Sequence, residues 1–304
     1  MARGGPQGPW WLESGQLPPA ARARLAAASR AGAPFSSALP AAGAALLRRA
    51  GLDPLCLVAG SAVIAVRRIA VSAWNEDGLA VELTVAHQQA ARLAQERLVA
   101  EARAVGAHGV VGVRTELEPP RPGLPAVTAR LLGTAVREAG APAAGQPWLC
   151  GLALPDWWAL ARAGYLAAGL VSGCCAWAVP NTAADRDIVR QGVAAEFSHF
   201  GTALRHCRMR VMEQLAQQAA ACGAAGTVGV QVRRSVQEVT VRHRHPARRG
   251  IAEPGEGDEV EEPRPGRWND HLLVLSALGT AVRPAPAAGA AITPLLPLRP
   301  DRRP

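Results

Sequence analysis

The chain has 304 residues and a formal net charge of +9, and all 33 of its basic residues are arginine. Together with the abundance of Ala, Gly and Pro this reads as the coding bias of a GC-rich genome, so the sequence pI of about 10.6 does not by itself designate a nucleic-acid partner. The length is too great for one compact α+β unit and suits two domains, each able to bury its own core.

In chain order, Met1 to Pro9 is rich in Gly and Pro with no apolar stretch behind it, which predicts no signal peptide and a cytoplasmic protein. Residues 1–30 and 286–304 are Pro/Ala/Arg-rich and are expected to be disordered. A first domain over 31–140 begins with a short helix closing at Leu46 to Ala50. Gly51 then provides a left-handed cap, and a Leu/Val/Ile run follows as a buried strand. Ala91, Ala94, Leu98, Ala102 and Val105 step by three or four, the stripe of an amphipathic helix. Gly106 stops that helix, Val110 to Val113 starts a strand, and Thr128 to Val136 supplies a closing strand. A second domain over 145–285 follows the same order, with the helix stripe Val211, Leu215, Ala219 and Cys222. Its Ala163 to Val179 run carries no charge. At seventeen residues with three glycines it is short for a membrane span of about 20, and no membrane association is expected.

Three blocks recur in both domains. Arg49 to Val66 matches Arg162 to Val179 at eight of eighteen positions, and Gly106 to Val113 matches Gly223 to Val230 at six of eight. Leu132 to Arg137 matches Leu278 to Arg283 throughout. The fold class that follows is α+β, two tandem copies of a small domain with an antiparallel sheet packed on a long helix. The offset between copies is 117 residues in the second block and 146 in the third. An insertion of 29 residues is therefore expected around 242–267, as a mobile loop. It holds Arg242, Arg244, Arg248 and Arg249, followed by an acidic run from Glu253 to Glu262, so its charge is self-compensating and nucleic-acid binding is not favoured.

The duplication serves as an internal control on chemistry. Metal ligands of an ancestral site would recur at matched positions, yet none of the six cysteines does, and all six read as small buried residues. There is no C-x-x-C and no Gly-x-Ser-x-Gly, and no catalytic constellation is recognisable, which predicts a binding or assembly module rather than an enzyme. One soft cluster, Cys174 and Cys175 with His206 and Cys207, is the weak candidate for a divalent metal, and His243 and His245 form a weaker one. The polar residues that do recur are Arg49 with Arg162, Glu96 with Glu213, Thr134 with Thr280, and Arg137 with Arg283. They would form an anion site or subunit contact in one reading. In the plainer reading they are helix-end caps, an i,i+4 partner and polar strand positions.

The helix Ala94 to Ala102 running into Gly106 to Val113, with the terminal Gly133 to Val136, resembles the YbjQ-like family, whose domains are labelled heavy-metal-binding. The second copy supports the resemblance at Gly223 to Val230 and departs from it at Gln214 and Gln218, where the first has Arg97 and Glu101. The resemblance implies an uncharacterised, non-enzymatic binding protein that forms homo-oligomers through its strand and helix surfaces, five-fold rings in the family. A genuine metal protein built on the second copy's Cys/His cluster, or an anion- or nucleic-acid-binding module, are the alternatives.

Overall fold

In the computed structural model the described residues are 17–30, 32–66, 79–120, 125–138, 140, 145–192, 194–242 and 267–285. The first half runs α1 (Pro19–Ala28), α2 (Ala41–Arg49), β1 (Leu52–Ala65), α3 (Val81–Ala104), β2 (Gly109–Glu118) and β3 (Ala126–Glu138). The second runs β4 (Trp148–Leu149), α4 (Leu154–Arg162), β5 (Tyr165–Val179), α5 (Ala183–Gln191), α6 (Ser198–Ala221), β6 (Gly226–Arg242) and β7 (Arg267–Pro284). The fold is α+β as expected, with two sheets in strand orders β1-β3-β2-β4 and β5-β7-β6. Apart from the parallel β2–β4 pair, the strands within each sheet pair antiparallel.

The halves agree in their irregularities as well as their order. The β1–β3 register slips between Pro54 and Cys56, and β5–β7 slips between Ala167 and Gly169, the same two positions of the repeat. The β2–β3 pair slips between Val111 and Arg114, and β6–β7 between Val228 and Gln231, again at matched positions. Bulges are features of a backbone plan, and such agreement marks a shared one.

Helix α3 lies on β1 and helix α6 on β5, each at a glycine. A Cβ on Gly60 would overlap the Ala94 carbonyl oxygen of α3, and one on Gly173 would stand 2.7 Å from the Val211 carbonyl oxygen of α6. Beside that crossing the helix side chains bond the edge of the strand. Glu101 accepts from the Ala59 amide at 2.7 Å, and Gln218, at the matched helix position, accepts from the Ser172 amide at 3.0 Å. One turn earlier Arg97 donates to the Ser61 carbonyl, while Gln214 accepts from the Cys174 amide at 2.8 Å. The departures at Gln214 and Gln218 thus keep the contact and change only its donors and acceptors.

Helix α1 occupies part of the segment expected to be disordered. Pro19 opens it, Leu25 is buried in the core, and Arg24 pairs with the buried Glu101 at 2.5 Å while donating to the Leu57 carbonyl. A proline at the first helical position and an alanine-rich run favour a helix, and one apolar anchor with one ion pair docks it. Helix α5 is a further element beyond those the sequence pattern predicts, although its capping box of Thr182 and Asp185 is visible in the sequence. The rest of the N-terminal segment (1–16), the core of the insertion (243–266) and the tail (286–304) lie outside the described residues.

The main core is shared by the halves, since Val58, Leu98 and Leu131 cluster with Leu170, Cys174 and Leu272. A Gly60→Val variant should lose about 3 kcal/mol of stability through overpacking against α3. Urea denaturation measures it, and an unchanged midpoint would contradict the close crossing.

Candidate assembly interface

The recurring threonines are structural latches. Thr134, fully buried, accepts from the Ala38 amide at 3.1 Å and shares a hydrogen bond with the Ser37 hydroxyl at 2.9 Å. Thr280, also buried, accepts from the Gly151 amide at 3.0 Å beside the Cys150 thiol. Ser37 and Cys150 are matched positions, as are Ala38 and Gly151, so each closing strand pins the segment that enters its own half. Arg137 donates to the Gly106 and Val105 carbonyls at the end of α3, a C-terminal cap. Arg283, its counterpart, is exposed, as are Arg49 and Arg162 in the last turns of α2 and α4. Glu96 pairs with Arg92 at 2.6 Å, and Glu213 with Arg210 at 4.0 Å, both on exposed helix faces. The structure therefore brings these eight residues together into no common anion pocket.

The weak metal candidates separate in the same way. Successive strand residues face opposite sides, and Cys174 and Cys175 enter different hydrophobic clusters. Cys175 meets Cys207, whose thiol is held protonated by its hydrogen bond to Cys175 and by burial. Burial also pushes up the thiols of Cys174 and Cys56, and that of Cys150 to about 11. His206 instead stacks on Trp177 at 5.0 Å. Metal ligation needs thiolates gathered at one point, and no group of three or more His, Cys, Asp or Glu side chains suited to an ion exists among the described residues. His243 and His245 lie outside them. Five cysteines are buried as expected, but Cys222, at the end of α6, is exposed.

A groove of about 810 Å³ runs between α3 and the α6–β5 layer, walled by Gln88, Gln95, Gln214 and Gln218. His87 lies beneath it, fully buried. Its Nδ1 is bonded to the Leu83 carbonyl oxygen, and its Nε2 has no partner among the described residues. The matched residue on α6 is Leu204, so only a comparison of the copies at that core position would have singled out His87.

The strand edges differ sharply between halves. The outer edge of β2 is paired at its start, where Gly109 and Val110 meet Trp148 and Leu149 of β4. Strand β6, matched to β2, pairs with β7 on one side and with nothing described on the other, and Val230, Val232 and Val236 along it are exposed. Exposed valines on a long unpaired edge are the signature of a pairing surface.

With this geometry in view, the chain is 30% identical over 224 residues to the encapsulin nanocompartment protein Rv1762c of Mycobacterium tuberculosis (strain ATCC 25618 / H37Rv), across 72% of this chain and 84% of that protein. The chain belongs to the family of that nanocompartment protein. No family model matches it. The resemblance to the YbjQ-like heavy-metal-binding domains is accordingly overturned, and with it the reading as a metal-binding protein of that family. What carried it was glycines and small apolar residues, which specify helix stops and close packing and not a lineage. The nucleic-acid and anion alternatives gain no support from this relative either. The relative's name is that of a compartment protein and not of a catalyst. Among the described residues, no helix is long and apolar enough to cross a membrane.

Burial lowers the His87 pKa, against a smaller opposing effect of its bond to Leu83. The unfolded chain therefore takes up this proton first as pH falls. Stability from His87 is complete above about pH 6.5 and declines below it, by up to about 1.4 kcal/mol per pH unit. Urea midpoints at pH 7.5 and 5.5 should differ less in His87→Gln than in the parent chain, and equal acid sensitivity in both would contradict the assignment.

Proposed function

We propose that this chain is a non-enzymatic building block of a protein nanocompartment in the cytoplasm, associating with copies of itself through its exposed strand edges and helix faces. Its repeated units are the two domains at 31–140 and 145–285, which supply non-identical surfaces to the assembly. The observation that carries the reading is the outer edge of β6, long, valine-bearing and unpaired among the described residues, in a chain whose relative is a nanocompartment protein. A lone soluble domain blunts such an edge with charge, proline or a covering loop. Here Arg233 and Arg234 lie side by side between Val232 and Val236, which remain exposed.

Among the described residues the Cys174 and Cys207 thiols are held protonated, the recurring threonines are engaged by backbone amides, and Arg137 is spent on a helix end. Sedimentation velocity of the purified full chain at micromolar concentration should show a species at several multiples of the 31.6 kDa chain mass. A single species at the chain mass across the concentration range would contradict the reading.

A further inference from the structure

We propose that copies of the chain join head to tail, with β6 of one copy taking the 35–37 segment of the next, by the same junction that joins the two halves inside each chain. The inference rests on the assembly reading and names its surface.

Within the chain, β4 opens the second half and seats on the outer edge of β2. The Trp148 amide donates to the His108 carbonyl at 3.1 Å, the Cys150 amide to the Val110 carbonyl at 2.9 Å, and the Val113 amide to the Cys150 carbonyl at 3.0 Å. Over this ladder the Trp148 ring lies on Gly109, so closely that a Cβ there would overlap it. Carried by the repeat to the other end of the chain, Gly109 becomes Gly226 and Trp148 becomes Phe35. Both halves of that second junction are present and, among the described residues, unfilled. A Cβ on Gly226 would meet nothing within 4 Å, and Phe35 is 51% exposed although Ser37, two residues on, is latched to Thr134.

A second contact of the junction repeats the pattern. At the start of α3 the Ala80 amide donates to the Ala176 carbonyl, and the Ala176 amide donates to Thr84, so that the first half also holds the far end of β5. The residue of β1 matched to Ala176 is Val63, which is 60% exposed. The α6 residues matched to Arg92 and Gln95, which wall the groove on the α3 side, are Met209 and Met212, both apolar and exposed. Among the described residues, one strand edge, one aromatic, one valine and two methionines are thus open at the positions where the repeat predicts a neighbour. Such a contact is heterologous, and closes into a ring when the rotation per chain divides the circle.

Two sets of variants test it. Gly226→Val adds a side chain that the single chain has room for and that the junction does not. It should leave the far-ultraviolet circular dichroism and urea midpoint near those of the parent while lowering the assembled fraction at least tenfold, and Phe35→Asp should do the same. Independently, in a Cys222→Ser background, Phe35→Cys chains mixed with Gly226→Cys chains should form a disulfide-linked two-chain species under mild oxidation that neither forms alone. A parent chain that is monomeric overturns the assembly reading and this inference together. A parent that assembles, with both single variants unaffected and no mixed cross-link, overturns the junction alone.

Discussion

The architecture depends on one close approach made twice, a long helix laid directly on a strand at a glycine, α3 on β1 and α6 on β5. Gly60 lets the Ala94 carbonyl sit where a side chain would be, and Gly173 does the same for Val211. With the helix that near, the side chains one and two turns away reach the backbone of the strand, so Glu101 and Gln218 occupy edge amides that would otherwise be free. The Ala59 amide of β1 and the Ser172 and Cys174 amides of β5 are thereby occupied, whereas the outer edge of β6 has no partner among the described residues. Buried Glu101 depends on Arg24 for its charge partner, which ties α1 to the same crossing. Removing one member of such a pair leaves a buried charge uncompensated.

Much of this plan was legible in the sequence because the chain carries it twice. The glycines at 51, 106, 164 and 223 marked helix ends and have positive φ, and the repeat blocks delivered the order of strands and helices. Thr134 and Thr280 stand out in the sequence as candidates for an anion site or subunit contact, or as polar positions on half-exposed strands, but both are buried, and their hydrogen-bond partners at 38 and 151 lie outside the repeat blocks, where no pattern names them. The long helices hid their polar role. Gln214 and Gln218 looked like departures from Arg97 and Glu101, yet amide and charged side chains serve equally well on a strand edge, where both donors and acceptors are on offer. Docking of α1 turns on Arg24 meeting Glu101, a contact across 77 residues that no local pattern reveals.

The candidate metal site failed for a reason of geometry. Cys174 and Cys175 are neighbours in sequence and opposites in the sheet, so only Cys175 could approach Cys207, and His206 was drawn to Trp177 instead. The family reading failed for a reason of information: a helix stop, a Val-Gly-Val strand and a closing Gly-Thr-Ala-Val describe good packing for any domain of this shape. What the duplication conveys about function lies in the differences between copies at matched surfaces. Gly109 is covered and Gly226 bare, Trp148 stacks on Trp157 while Phe35 faces solvent, and β2 is paired where β6 is open. These unlike surfaces at matched positions are what the proposed junction between chains rests on.

The central claim is that the seam between halves is reused between chains, and imaging the assembled particle by electron cryo-microscopy tests it most directly. The account predicts the Phe35 ring of one chain on Gly226 of its neighbour, with the Phe35 amide bonded to the Ala225 carbonyl as Trp148 is to His108. Particles in which the β6 edge faces solvent, or pairs antiparallel with its own copy about a two-fold axis, would contradict it.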